Sequence, residues 1–217
     1  MDTAVALIET YLRVNGYFTV TEYPIIEAAR NGGYRTVTDL DLLAVRFPGA
    51  GILIPKSNAS SNSKWTVLPA DKMLKAAANG IDMIVGEVKE GHAEFNRAVR
   101  NPIVLQTALA RFGCCSPKHA LELARRVLQK GYAVTDAGHR VRVVAFGSTS
   151  SNDSPHHTTV TLGHAAKFLR EYIAEYWDLV RNTDFKDPAF GFLVLLEKAR
   201  HGLEGMQQTT PTNPGNR

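Results

Sequence analysis

The sequence has few cysteines, no long apolar run and little excess of charge. Its two cysteines, Cys114 and Cys115, are adjacent. Neighbouring cysteines form at best a strained ring disulfide, so they indicate no disulfide scaffold, and the dispersed histidines lack the spacing of a zinc site. The longest apolar run, 189–196, is too short to cross a membrane. The start, Met-Asp-Thr-Ala, lacks the basic and apolar blocks of a signal peptide, so we expect a cytoplasmic protein with no membrane partner.

The composition is that of an ordinary globular protein, with 44% apolar and 21% charged residues among 217. A chain of this length can bury one good core, or a core with a small appendage. We expect one α/β domain over residues 1–204, with its core at about 3–147 and a helical elaboration at about 148–204. Residues 205–217 combine proline with Gln, Thr and Asn, and we predict a disordered tail there.

Positive charge is concentrated in the middle of the chain. The net charge is +4, yet residues 89–142 contain ten Lys and Arg against four Asp and Glu, which gives this segment +6. A basic segment of this kind fits a phosphate-rich partner. The alternative is a set of solvated helix faces, and charge alone does not decide between the two.

Two predicted strands carry charged residues where apolar residues are expected. Residues 81–91 begin as an apolar run and end with Glu87 and Lys89, which leave the same face of a strand. The segment 36–46 also reads as a strand, with a carboxylate, Asp41, in its middle, where one is unusual. If the strands are neighbours, the two carboxylates and the lysine can hold a divalent cation and orient a water beside a phosphate. The alternative is a strand-end ion pair that points into water.

Apolar periodicity predicts the order of the other elements. A helix is expected over 3–14, followed by a hairpin of 17–26 with 34–47. After the strand with Glu87 we expect helices and strands in the following order: helices over 93–100, 103–112 and 117–130, a hairpin of 132–135 with 140–146, a strand over 158–162, and helices over 164–181 and 188–201.

The motif Asp-Leu-Asp-Leu-Leu-Ala at 39–44, followed by Met-Ile-Val-Gly-Glu-Val-Lys at 83–89, resembles the PD-(D/E)xK nuclease superfamily, which has the restriction-endonuclease-like fold. The similarity is greatest to Holliday-junction-resolvase-like members. It covers about half of the chain, residues 3–110, and departs at 48–80, where the family usually has a short turn. The resemblance implies an αβββαβ core, with a mixed central sheet flanked by helices, and here extra C-terminal helices.

The resemblance implies a nuclease that depends on Mg²⁺ or Mn²⁺, hydrolyses phosphodiester bonds and acts on nucleic acid, with DNA expected. Asp41 and Glu87 would hold the metal together with the backbone carbonyl of Val88, and Lys89 would orient the attacking water or stabilise the transition state. Glu9 on the first helix is a further candidate ligand, although the family's acid falls about one turn earlier. Many members cut two strands as dimers, so a homodimer is compatible with the resemblance.

The alternative function is a catalytically inactive module that binds nucleic acid or a protein partner and retains the nuclease fold. The complete set of Asp, Glu and Lys favours the enzyme. The long insertion at 48–80 and the displaced helix acid favour the inactive module.

Overall fold

The structure is a computed structural model that describes residues 2–51, 70–150, 157–182 and 186–208. The chain divides into two compact units, Met1–Ala166 and Lys167–Arg217. The centre of the predicted insertion at 48–80 and residues 209–217 of the predicted tail lie outside the described residues.

The first unit begins with a helix and a run of strands. Its elements are α1 (Thr3–Val14), β1 (Phe18–Ala28), β2 (Tyr34–Arg46), a 3-10 turn (Lys72–Leu74), β3 (Asp82–His92), α2 (Pro102–Phe112), α3 (Pro117–Lys130), β4 (Tyr132–Val134), β5 (Arg140–Thr149), β6 (Thr158–Thr161) and the start of α4 (Leu162–Glu175). Side-chain caps explain two of the helix starts. Asp2 accepts the Ala4 N–H at 2.7 Å, and Asn101 accepts the Ile103 N–H at 3.0 Å.

Six strands form one mixed sheet in the order β1-β2-β3-β5-β4, and β6 also pairs with β5. The first three strands are antiparallel neighbours, whereas β3 and β5 run parallel. The outer edge of β5 is shared, because β4 pairs with Arg140–Arg142 and β6 pairs with Val144–Gly147. The predicted α/β class, with a mixed sheet flanked by helices, is confirmed.

The alternation of side chains along β3 separates two apolar layers. Met83 and Val85 belong to the cluster formed with α2 and α3, whose buried residues include Leu105, Ala108 and Leu109. Helix α1 packs against β1, β2 and β3, and its buried side chains lie outside that cluster. Residues Glu87 and Lys89 therefore continue the face of β3 that α2 and α3 cover.

Asp82 forms a buried ionic network at the start of β3. Its Oδ1 accepts a bond from Arg140 at 2.8 Å, and its Oδ2 accepts bonds from the Tyr17 hydroxyl at 2.6 Å and Arg142 Nη2 at 2.9 Å. Burial opposes the charged form of Asp82, yet Arg142 and Arg140 outweigh it and hold the pKa of this carboxyl below its ordinary value. The resulting stabilisation is present above the unfolded-state pKa of about 3.9 and is lost as the pH falls through the native pKa.

The second unit contains the rest of α4 together with α5 (Trp177–Val180) and α6 (Pro188–Gln208). Aromatic rings connect these helices. Tyr172 lies 5.0 Å from Tyr176 and 6.2 Å from Phe190 between ring centroids, and Trp177 stacks on His201 at 4.6 Å. Among the helices that the structure describes, none has the length and apolar character needed to cross a membrane.

One predicted helix, over 93–100, is wrong, and two others differ from the observed elements in extent. Residues 93–100 are irregular and end in a turn, because the Asn96 side chain accepts the Val99 N–H at 2.8 Å. The helix predicted over 164–181 is divided into α4 and α5, which Tyr176 separates. Helix α6 continues to Gln208, into the first residues of the predicted tail.

The substitution Asp82→Ala is expected to lower the free energy of unfolding by about 3–5 kcal/mol, because it leaves the buried Arg142 without its counter-charge. The measurement is urea denaturation at pH 7, followed by circular dichroism. The control is Glu122→Ala, which breaks an exposed pair with Arg126 and should change the free energy by less than about 0.5 kcal/mol. Similar losses in the two variants would contradict the importance of the buried network.

Candidate functional site

The backbone pairing of β2 with β3 ends just before the predicted site. The ladder runs from Arg46 opposite Asp82 to Leu42 opposite Gly86, although both strands continue beyond it. Past this point Asp41 Oδ2 accepts the Val88 N–H at 2.8 Å. In a continued ladder, a backbone carbonyl of β2 would accept this N–H. Here the Asp41 side chain accepts it instead and joins β2 to β3.

Glu87 is the most buried acid of the site. Its side chain is 0% exposed, and its Oε1 accepts bonds from Lys89 Nζ at 2.6 Å and Asn96 Nδ2 at 2.8 Å. Its Oε2 is also buried and has no hydrogen-bond partner in the described part of the chain. A buried carboxylate oxygen without a partner is costly, so this atom is the strongest indication that the site binds something.

Lys89 joins the buried carboxylate to the protein surface. Its side chain is 40% exposed and contacts Glu87 through the ammonium group. The sequence prediction that these two residues share one face of a strand agrees with this contact. Lys89 also lies opposite Gly147 of the parallel strand β5.

Asn96 is a site residue that the sequence prediction missed. It lies in the segment that follows β3 and folds back over β5, where the Ala93 N–H binds the Thr149 carbonyl at 2.8 Å. Gly147 permits this approach, because a Cβ there would lie 2.5 Å from the Ala93 nitrogen. Asparagine disfavours helix interiors and caps turns, and this property is the signal that could have identified Asn96.

Burial sets the electrostatics of the two acids. It raises the pKa of Asp41 above its ordinary value, against the opposing effects of the Val88 N–H and Lys89. Burial also raises the pKa of Glu87; Lys89 and Asn96 oppose this shift, while the nearby Asp41 charge adds to it. Burial disfavours the charged form of Lys89, but the bond and charge of Glu87 outweigh this effect, and the pKa of the amine rises. Burial therefore disfavours the ionised form of both acids, and a bound cation would reduce that cost.

The structure does not bring Glu9 into this site. Glu9 is buried on α1, where its Oε1 accepts bonds from Arg13 at 2.7 Å and from the Thr19 hydroxyl at 2.9 Å. In the ranges that the structure describes, no three His, Cys, Asp or Glu side chains form a group that could hold a metal ion. Glu9, Asp41 and Glu87 therefore do not form one three-acid cluster, and the metal roles of the latter two stay predictions.

Comparison of the chain with protein-family models, with curated proteins and with solved structures finds no match. The similarity to the nuclease superfamily therefore rests on the two strand motifs, and the function has to be inferred from the residues of the site.

Asp41→Asn is expected to raise the free energy of unfolding at pH 7 without metal, by about 0.5–2 kcal/mol. The raised native pKa means that ionised Asp41 destabilises the fold at neutral pH, and that this penalty disappears as the pH falls below the unfolded-state value of about 3.9. The measurement is urea denaturation in a metal chelator at pH 7 and near pH 4.

The matched control for this experiment is Glu90→Gln, which removes an exposed acid from β3 and should change stability by less than about 0.5 kcal/mol. If Asp41→Asn is less stable than the wild type at pH 7, the bond to Val88 outweighs the burial of the charge, and the electrostatic description of the site is wrong.

Proposed function

We propose that this protein is a metal-dependent nuclease that hydrolyses phosphodiester bonds in DNA, with Asp41, Glu87 and Lys89 at its centre. The observation that carries the proposal is the state of Glu87. Its carboxylate is fully buried and bonded to a lysine through one oxygen, and its other oxygen has no partner within the described ranges. A side chain placed in this way contributes little to stability, so its role is more readily chemical than structural.

The donor atoms fit a hard divalent cation. The carboxylates of Asp41 and Glu87, with the Val88 carbonyl, would provide oxygen ligands, and the orphaned Oε2 is available for one. Mg²⁺ commonly uses one or two protein carboxylates and completes its shell with water and substrate phosphate, so two acids suffice. When bound, Mg²⁺ or Mn²⁺ would polarise the phosphate and lower the pKa of a water.

The side chains around the acids have separate tasks in this mechanism. Lys89 carries its charge next to Glu87 and reaches the surface, so it can orient the attacking water and stabilise negative charge on the phosphate. The bond and charge of Glu87 raise the pKa of Lys89 above its ordinary value, which favours a role as a hydrogen-bond donor. Asn96 fixes the orientation of the Glu87 carboxylate through its amide.

The arrangement of elements supports the same proposal. The order α1, β1, β2, β3, α2, α3, β4, β5 is compatible with the αβββαβ core that the resemblance implies, with the short β4 added before β5. Strand β5 runs parallel to β3, and the residues of the site leave the face of β3 that α2 and α3 cover. These helices belong to the basic segment 89–142, which fits a polyanionic substrate.

The test is cleavage of plasmid, single-stranded and branched DNA with Mg²⁺ or Mn²⁺. Asp41→Asn, Glu87→Gln and Lys89→Ala should each lower the cleavage rate by about 10²–10³-fold or more, because each removes a ligand or a charge used in the transition state. Asn96→Ala should lower the rate by about 10–100-fold, as expected for a residue that orients a ligand. Circular dichroism checks that each variant is folded.

Glu90→Gln is the control for charge, since Glu90 is exposed and lies on β3 beside the site. It should cleave DNA at the wild-type rate. Cleavage that persists in all three variants at Asp41, Glu87 and Lys89 would rule out this site. A wild type that binds DNA without cleaving it would favour the inactive binding module.

A further inference from the structure

A cavity lined by several charged residues lies at the outer edge of β5, away from the proposed nuclease site. Its volume is about 280 Å³, and its lining includes Lys75, Lys130, Tyr132, Arg140, Arg142 and Thr158. We call this cavity the edge pocket. It lies where β4 and β6 meet the same edge of β5, since the first pairs with Arg140–Arg142 and the second begins opposite Val144.

The edge pocket carries an excess of positive charge. Two lysines and two arginines line it, and the arginines share one carboxylate, that of Asp82. Neither Lys75 nor Lys130 forms an ion pair with any acid that the structure describes. One negative charge therefore faces four positive charges, and a net charge of three remains for an anion to neutralise.

Arg142 adds a donor that lacks an acceptor. The residue is 3% exposed, and its Nε and Nη2 both bind Asp82, at 3.2 and 2.9 Å. Its Nη1 is buried and has no hydrogen-bond partner among the residues described. A buried guanidinium donor without an acceptor costs free energy, and an anion in the adjoining cavity offers the missing negative charge.

The cations of the edge pocket come from three separate segments of the chain. Lys130 ends α3, where a cation complements the helix dipole, but the other cations come from different elements. Lys75 caps the end of the 3-10 turn Lys72–Leu74 in a left-handed conformation with a φ of 48°, and its carbonyl accepts a bond from Arg140. Cations from three segments thus lie around one cavity, and an anion bound there would reduce the repulsion that Asp82 does not offset.

We propose that the edge pocket binds a phosphate group, either inorganic phosphate or the phosphomonoester end of a nucleotide or DNA strand. The lysine and arginine side chains supply the charge, and the hydroxyl groups of Tyr132 and Thr158 supply neutral donors. This site is separate from the carboxylates, because Arg142 lies opposite Ile84, three residues or about 10 Å along the strand from Glu87. The proposal does not depend on nuclease activity.

The experiment is a titration of the full chain with sodium phosphate at constant ionic strength, observed by amide NMR. Saturable shifts are expected for Gly131, Tyr132 and Thr158, which border the pocket. The double variant Lys75→Ala/Lys130→Ala should bind about tenfold more weakly or worse, because it removes two charged donors. Both lysines are exposed, and each single variant provides a second test if the double variant unfolds.

The matched control is Lys118→Ala/Arg125→Ala, which removes the same charge from exposed positions of α3. It should bind phosphate as the wild type does. An equal loss in the control and in the pocket variant would indicate general charge attraction, and the proposal would be wrong. The phosphate-site proposal would also be wrong if none of three probes gave saturable shifts at the pocket: millimolar phosphate, deoxythymidine 5′-monophosphate and an oligonucleotide with a 5′-phosphate.

Two further probes identify the source of the phosphate. Deoxythymidine 5′-monophosphate and a short oligonucleotide with and without a 5′-phosphate are titrated in the same way. If the phosphorylated oligonucleotide binds more strongly than the unphosphorylated one, the pocket binds the end of a DNA strand. If the two oligonucleotides bind equally and inorganic phosphate binds saturably, the pocket binds a small phosphate-containing molecule. Because these measurements need no metal and no cleavage, their failure is distinct from failure of the nuclease proposal.

Discussion

The site depends on the hydrogen bond between the Asp41 carboxylate and the Val88 N–H. Beyond Leu42 and Gly86, this bond replaces the backbone ladder that joins β2 to β3. It places a carboxylate beside Glu87, while the rest of β3 remains buried in the sheet. The segment after β3 then folds over Gly147 and brings Asn96 to the other side of Glu87. The charged residues of the site therefore come together where the ladder between β2 and β3 ends and the Asp41 carboxylate binds the Val88 N–H.

Strand β3 carries two fully buried acids whose surroundings shift their pKa values in opposite directions. Asp82 has arginine and tyrosine donors on both oxygens, and its pKa is lowered, so its charge stabilises the fold at neutral pH. Glu87 lies five positions later with one oxygen unpartnered in the described part of the chain and with a raised pKa, so its charge is a cost. The two side chains lie on opposite faces of the strand, because their spacing is odd. Asp82 stabilises the fold, whereas the unpartnered Glu87 is the acid to which the proposed function gives a chemical role.

Period-two alternation was enough to predict β2 and β3 and the shared face of Glu87 and Lys89, because strand geometry is local. The parallel pairing of β3 with β5 and the shared outer edge of β5 depend on long-range contacts, which local patterns do not contain. The segment 93–100 has helix-forming residues, yet the bond of Asn96 to Glu87 and the contact over Gly147 hold it in an irregular conformation. Glu9 was placed correctly on a helix, where the i,i+4 spacing is enough to predict its pair with Arg13. Its contact with Thr19 of β1 depends on tertiary structure.

The proposed function requires that Asp41 and Glu87 bind a hard divalent cation. Isothermal titration of Mn²⁺ into the full chain, into Glu87→Gln and into Glu90→Gln tests it most directly, since it needs no substrate. Saturable binding is expected for the wild type and for Glu90→Gln, and loss of that binding is expected for Glu87→Gln. Equal binding by all three proteins, or none by a folded wild type, would contradict it.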